Sequence, residues 1–180
     1  MAEMIFAGFG GQGVMSMGMM LAYAGMLEGK NVSWIPSYGP EMRGGTANCA
    51  VVVTSDEIGS PFVTDPDVVV AMNLPSMDKF EPRLKKGGLL IYNSSLIERE
   101  GGRDDIEVIG IPANEIASEL GNSRVANMVV MGALLAKTGV AKPESVKDAL
   151  RKVLPAHRHD LLPVNEQAME RGAEYVSKDR

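Results

Sequence analysis

The chain has 180 residues, 45% of them hydrophobic, with one cysteine and a formal net charge of -5. That length supports one well-buried domain spanning 1–180, the acidic balance without clustered Lys and Arg excludes a nucleic-acid footprint, and no apolar run nears the roughly 18 residues of a membrane span. A lone cysteine excludes a disulfide framework, and the start Met1-Ala2-Glu3 lacks the basic segment of a signal peptide, so a cytoplasmic protein is expected.

An apolar run, Met4-Ile5-Phe6-Ala7, lies in the first expected strand (2–8) and feeds Gly8-Phe9-Gly10-Gly11-Gln12-Gly13, which opens an expected helix over 11–28. A strand entering a Gly-x-Gly-x-x-Gly turn lets the backbone approach a phosphate, and the amide groups and positive end of the next helix favour the anion. Gly8, Gly10, Gly11, Gln12 and Gly13 therefore form a candidate cofactor-binding turn. The competing reading is a tight strand-to-helix turn that binds nothing. The dinucleotide version of the motif also needs an acid about 20 residues on, at the end of the second strand. Here the second expected strand (31–36) runs into Ser37-Tyr38-Gly39-Pro40, and the first acid, Glu41, falls in the following loop. A plain NAD-dependent dehydrogenase is disfavoured.

That loop, Pro36-Ser37-Tyr38-Gly39-Pro40-Glu41-Met42-Arg43-Gly44-Gly45-Thr46-Ala47, is longer and chemically denser than an ordinary connection. It contains no helix, so the second strand and the third (47–54) are expected to be antiparallel, since a parallel crossover takes a dozen or more residues. Glu41 and Arg43 stand among glycines that cannot bury them. They are expected to meet a ligand, a partner or each other, and an exposed ion pair contributes only about 0 to 1 kcal/mol.

Three more strands (67–73, 88–92 and 106–111) and five more helices (75–84, 112–120, 124–138, 143–153 and 163–177) complete the pattern. The alternation predicts an α/β fold, a single-domain Rossmann-like three-layer sandwich with a mixed, mostly parallel sheet, whose strands look mostly buried on both faces. Gly29, Gly121 and Gly139 are placed to end helices, and Pro143 to open one. Val125 to Leu135 is apolar all round apart from Asn127, which predicts a helix buried between the sheet and a second body, with a partner subunit as one candidate. Five methionines, Met15, Met17, Met19, Met20 and Met26, cover more than one face of the first helix, as expected if one face packs on the sheet and another on a neighbouring chain. An ordinary, loosely packed core is the alternative. His157 and His159 flank Arg158 in a stretch read as a surface loop, since Asp160 alone does not complete a metal site. Cys49 sits in an apolar run, where cysteine behaves as a small hydrophobe.

The two glycine-rich segments together, Gly-Phe-Gly-Gly-Gln-Gly-Val and Pro-Ser-Tyr-Gly-Pro-Glu-Met-Arg-Gly-Gly-Thr-Ala-Asn-Cys, closely resemble the gamma subunit of 2-oxoacid:ferredoxin oxidoreductases. The likeness extends to Ser55-Asp56, Ile58-Gly59-Ser60-Pro61, Ala126-Asn127-Met128 and Gly132. It implies one part of an enzyme that turns a 2-oxoacid and coenzyme A into an acyl-CoA and passes electrons to ferredoxin. Alpha, beta and delta-type subunits are the implied partners, and thiamine diphosphate, magnesium and iron-sulfur clusters are implied in the assembled complex and not in this chain. One cysteine agrees with that, because a cubane cluster takes four thiolates. The resemblance carries Tyr38, Glu41, Arg43 and Thr46 over as interface or cofactor-proximal residues and assigns no catalytic residue. An autonomous nucleotide-binding enzyme and a non-catalytic scaffold are the alternatives.

Overall fold

The opening apolar run forms β1 (Ala2–Phe9), and a computed structural model, described over residues 1–38 and 46–178, places it inside a six-stranded sheet. The other strands are β2 (Asn31–Tyr38), β3 (Thr46–Thr54), β4 (Val68–Ala71), β5 (Leu89–Asn93) and β6 (Glu107–Ile111), in the spatial order β2-β3-β1-β4-β5-β6. β1, β4, β5 and β6 are parallel, while β3 runs antiparallel to both β1 and β2. The short β2–β3 connection forces this, since a chain reversing without a crossover can only pair antiparallel.

The helices are α1 (Val14–Leu27), α2 (Leu74–Phe80), α3 (Ala113–Glu119), α4 (Ala126–Thr138), α5 (Pro143–Val153) and α6 (Leu162–Lys178). Gly29 (φ 74°) ends α1, where the Lys30 N–H donates to the Gly25 carbonyl at 3.0 Å. Gly121 and Gly139 take the same left-handed conformation after α3 and α4. α2 is shorter than the pattern suggested. Pro82 has no N–H to donate to the carbonyl four residues back, so the chain tightens into a 3₁₀ turn over Glu81–Arg83.

The two sheet faces are covered unequally. Met4, Phe6, Val68, Val70 and Ile91 point into a large core built with α1, α3, α4, α5 and α6. Ile5, Ala7, Val69, Ala71 and Leu90 point the other way, into a smaller core closed by Met77 and Phe80 of α2, Val63 and Ile97. The central strands are buried on both faces as the pattern suggested, but β2 and most of β6 are only half-buried or exposed. Both are sheet edges, and Pro36 in β2 is tolerated because an edge strand leaves half its backbone groups unpaired.

α4 is buried, but its cover comes from this chain and not from a partner: α6 lies directly on it. A Cβ on Gly132 would collide with the Met169 carbonyl, and one on Gly172 with that of Val129, so the two backbones touch through their glycines. On α1, Met17 and Met20 are buried, Met15 and Met19 half-buried, and Met26 is 58% exposed. The helix thus turns one methionine face to the sheet and leaves another partly open.

Candidate functional site

Strand order reverses at β1: α1 leads away to β2 on one side, and the chain later returns to β4 on the other. In open α/β sheets the crevice outside the carboxyl ends of the strands at such a reversal is where ligands bind. The glycine turn sits there. Gly11 (φ 89°) and Gly13 (φ 79°) are left-handed, and Gly13 precedes α1 with no side-chain cap and no acid in the first helical turn. The positive end of the helix is therefore not neutralised from within.

Gln12 closes the turn. Its Oε1 accepts from the Phe9 N–H at 2.7 Å, and its Nε2 donates to the Met72 carbonyl at 3.1 Å, tying the turn to the end of β4. Gly8 is small for packing reasons, because a Cβ there would lie 2.6 Å from Gln12 Oε1 and 3.0 Å from Met72 Cβ. Gly10 differs from both neighbours: its φ is ordinary and nothing lies within 4 Å of where its Cβ would be. Among the described residues, no contact or dihedral accounts for a glycine at that position.

The strand ends that flank the second glycine-rich segment lie beside the first. Phe9 is paired with Thr46 and Gly8 with Ala47, while Tyr38 pairs Ala47 from the other side, so the end of β2 and the start of β3 lie at the same sheet edge as the turn. Tyr38 is 72% exposed there and Thr46 half-buried. Glu41 and Arg43 lie outside the described residues. β3 also occupies the place next to β1 where a dinucleotide-binding fold puts its second parallel strand. The position of the missing ribose acid is thereby displaced as well, which counts further against an NAD site.

Between the turn and the neighbouring strand ends is a crevice of about 220 Å³. Gln12, Asn93, Asn114 and Asn127 bring four carboxamides to its walls, with Arg124 as the one charged side chain among its described lining residues. Asn93 is fully buried. Its Oδ1 accepts from the Ser95 and Ala113 N–H groups, and its Nδ2 donates to Asn114 Oδ1 at 2.8 Å, which fixes the tops of β5 and α3. Asn127 leans over Gly13 from the start of α4. These wall residues escape motif reading because they are single amides scattered over the chain. Their shared signal is position, each at the end of a parallel strand or the start of a helix.

Cys49, His157 and His159 do not line the crevice. Cys49 is buried in β3, its Sγ donates to the Val14 carbonyl at 3.5 Å, and burial pushes its thiol up to about 12 against weaker opposing contacts from Trp34 and Gly18. Such a thiol stays protonated at neutral pH and is a poor nucleophile. His157 and His159 fall on a 3₁₀ turn (Ala156–Leu161), exposed, and not in an irregular loop. His159 Nε2 lies 3.1 Å from the Arg151 carbonyl and 3.0 Å from that of Leu154; both can only accept, so this nitrogen carries the proton. Among the described residues no three His, Cys, Asp or Glu side chains are grouped to hold a metal ion. No helix among them is long and apolar enough to cross a membrane.

A mixed α/β sheet with an amide-lined crevice at its switch point defines a Rossmann-like binding or subunit module. Residues 3–175 match the family described as pyruvate ferredoxin/flavodoxin oxidoreductase, and the chain belongs to that family. It is 42% identical over 175 residues to ketoisovalerate oxidoreductase subunit VorA of Methanothermobacter marburgensis, covering 96% of this chain and 36% of that protein. The chain thus spans about a third of the length of that relative. With 2-oxoglutarate synthase subunit KorC of the same organism it shares 38% identity over 160 residues, 85% of this chain and 86% of the relative. The crystal structure of the gamma subunit of a keto/oxoacid ferredoxin oxidoreductase from Geobacter sulfurreducens superposes with a TM-score of 0.83 at 29% identity, covering 97% of both chains.

Proposed function

We propose that this chain is the gamma subunit of a multi-subunit enzyme that oxidatively decarboxylates a 2-oxoacid in the presence of coenzyme A. In that reaction the bond between the carboxyl and oxo carbons breaks, carbon dioxide leaves, the thiol of coenzyme A takes the acyl group, and an electron pair passes to ferredoxin. Thiamine diphosphate, magnesium and the iron-sulfur clusters belong to alpha, beta and delta-type partners. The chain presents its C-terminal sheet edge to the active site and to coenzyme A without carrying a redox centre.

The observation behind this reading is the pairing of Phe9 with Thr46, which brings the glycine turn and the strand end that follows the second glycine-rich segment to one edge beside the amide-lined crevice. An open turn at Gly10 and an uncapped α1 suit a group brought from outside the chain. The test is purification of the tagged chain from its native host, followed by coenzyme A-dependent dye reduction with pyruvate, 2-oxoglutarate and branched-chain 2-oxoacids. Co-purifying partners and turnover with at least one substrate are expected, with none from the chain alone. Activity from the isolated chain, or a complex inactive with every 2-oxoacid, would overturn the proposal.

A further inference from the structure

A second, larger chamber of about 410 Å³ lies across Arg124 and Asn127 from the crevice, bounded by the starts of α1, α4 and α6, the end of α5 and the 3₁₀ turn after it. Its apolar wall comes from Met20, Met128, Leu150 and Leu154, and its charge from Arg124 and Arg158. No Asp or Glu lines it among the described residues.

The arginines make this unusual. Arg83, Arg99, Arg103, Arg151 and Arg171 all donate to carboxylates or carbonyls of the chain. Among the described residues Arg124 and Arg158 are the two arginines whose guanidinium groups meet no acceptor, and both residues line this chamber of a chain with net charge -5, Arg124 on the wall shared with the crevice. A guanidinium offers a planar fork of donors suited to phosphate oxygens. Two of them without an acid match a doubly charged group better than a single carboxylate. The volume falls within the ordinary range of small-ligand pockets, about 300 to 1,000 Å³.

We infer that this chamber binds an organic phosphate, its charged group held by Arg124 and Arg158 and its apolar body laid on Met20, Leu150 and Leu154. The inference does not depend on the subunit proposal, because the binding belongs to the single chain.

The test uses the 180-residue chain at low ionic strength with the fluorescent amphipathic anion 8-anilinonaphthalene-1-sulfonate, displaced by inorganic pyrophosphate. Saturable binding at a single site is expected, reversed by pyrophosphate and not by hexanoate. Arg124→Gln and Arg158→Gln should each weaken pyrophosphate about tenfold, the scale of a lost charge-assisted contact, with unchanged melting temperature because both side chains are exposed. Dye that does not bind, or that pyrophosphate fails to displace, overturns the inference. So does hexanoate displacing as well as pyrophosphate, or a variant of either arginine that binds pyrophosphate as tightly as the native chain.

Discussion

Asn127 of α4 lies against Gly13 so closely that a Cβ on the glycine would sit 2.5 Å from the amide Nδ2. The start of one helix is thereby seated on the entrance to another, and the turn and the crevice wall become one unit. Gly13→Ala meets two penalties, a left-handed backbone that costs roughly 1–2 kcal/mol for a residue with a Cβ and displacement of the amide. It should lower the melting temperature clearly, and Asn127→Ala in the same chain should recover part of the loss. A double-mutant cycle by urea denaturation measures this; strictly additive effects would separate the two residues.

Gly10 makes the opposite prediction. With ordinary φ and no described residue near its Cβ position, Gly10→Val should change stability by no more than about 0.5 kcal/mol, as a surface substitution does. If the turn faces a ligand or a partner, the same variant should impair assembly or raise the Michaelis constant for coenzyme A in the reconstituted enzyme. Wild-type values for both would leave the turn purely structural.

The α4–α6 crossing should be the least forgiving place in the large core. Alanine normally favours a helix over glycine by about 1 kcal/mol. At Gly132 and Gly172 that gain is outweighed, because a methyl would strike a backbone carbonyl that cannot rotate away, and overpacking costs about 1–3 kcal/mol or more. Gly132→Ala and Gly172→Ala should each destabilise the chain in chemical denaturation, whereas Gly59→Ala, in open space, should not.

Glu28 should give the fold an acid-sensitive joint. Burial opposes its ionisation, but the Lys142 N–H at 2.6 Å and the Lys30 ammonium at 2.9 Å overcome that and hold its carboxyl near 2. A depressed carboxylate stabilises the fold above its unfolded pKa of about 4.3 and loses that contribution as pH falls toward the folded value. Melting temperature should therefore fall from about pH 4.5 down to about 2 more steeply in the native chain than in Glu28→Gln. Identical profiles would show that the contact adds nothing to stability.

All six strands and all six helices were legible in the sequence, because apolar runs of strand length alternate with helix-length patterns and Gly29, Gly121, Gly139 and Pro143 punctuate them. Even the direction of β3 followed from the connection before it, which is too short for a crossover. The amides of Asn93, Asn114 and Asn127 were not legible as a site, since nothing local distinguishes a crevice amide from a surface one and they meet only when the strand ends are brought side by side. The same holds for the cover over α4. Apolarity on every face announces burial but not by what, and only the contact of Gly132 with Met169 and of Gly172 with Val129 assigns that role to α6. Periodicity and turn chemistry act within a few residues, so the chain specifies its elements locally. The meeting of Phe9 with Thr46, and of Arg124 with Arg158 at one chamber, depends on packing between distant segments and is decided in the tertiary structure alone.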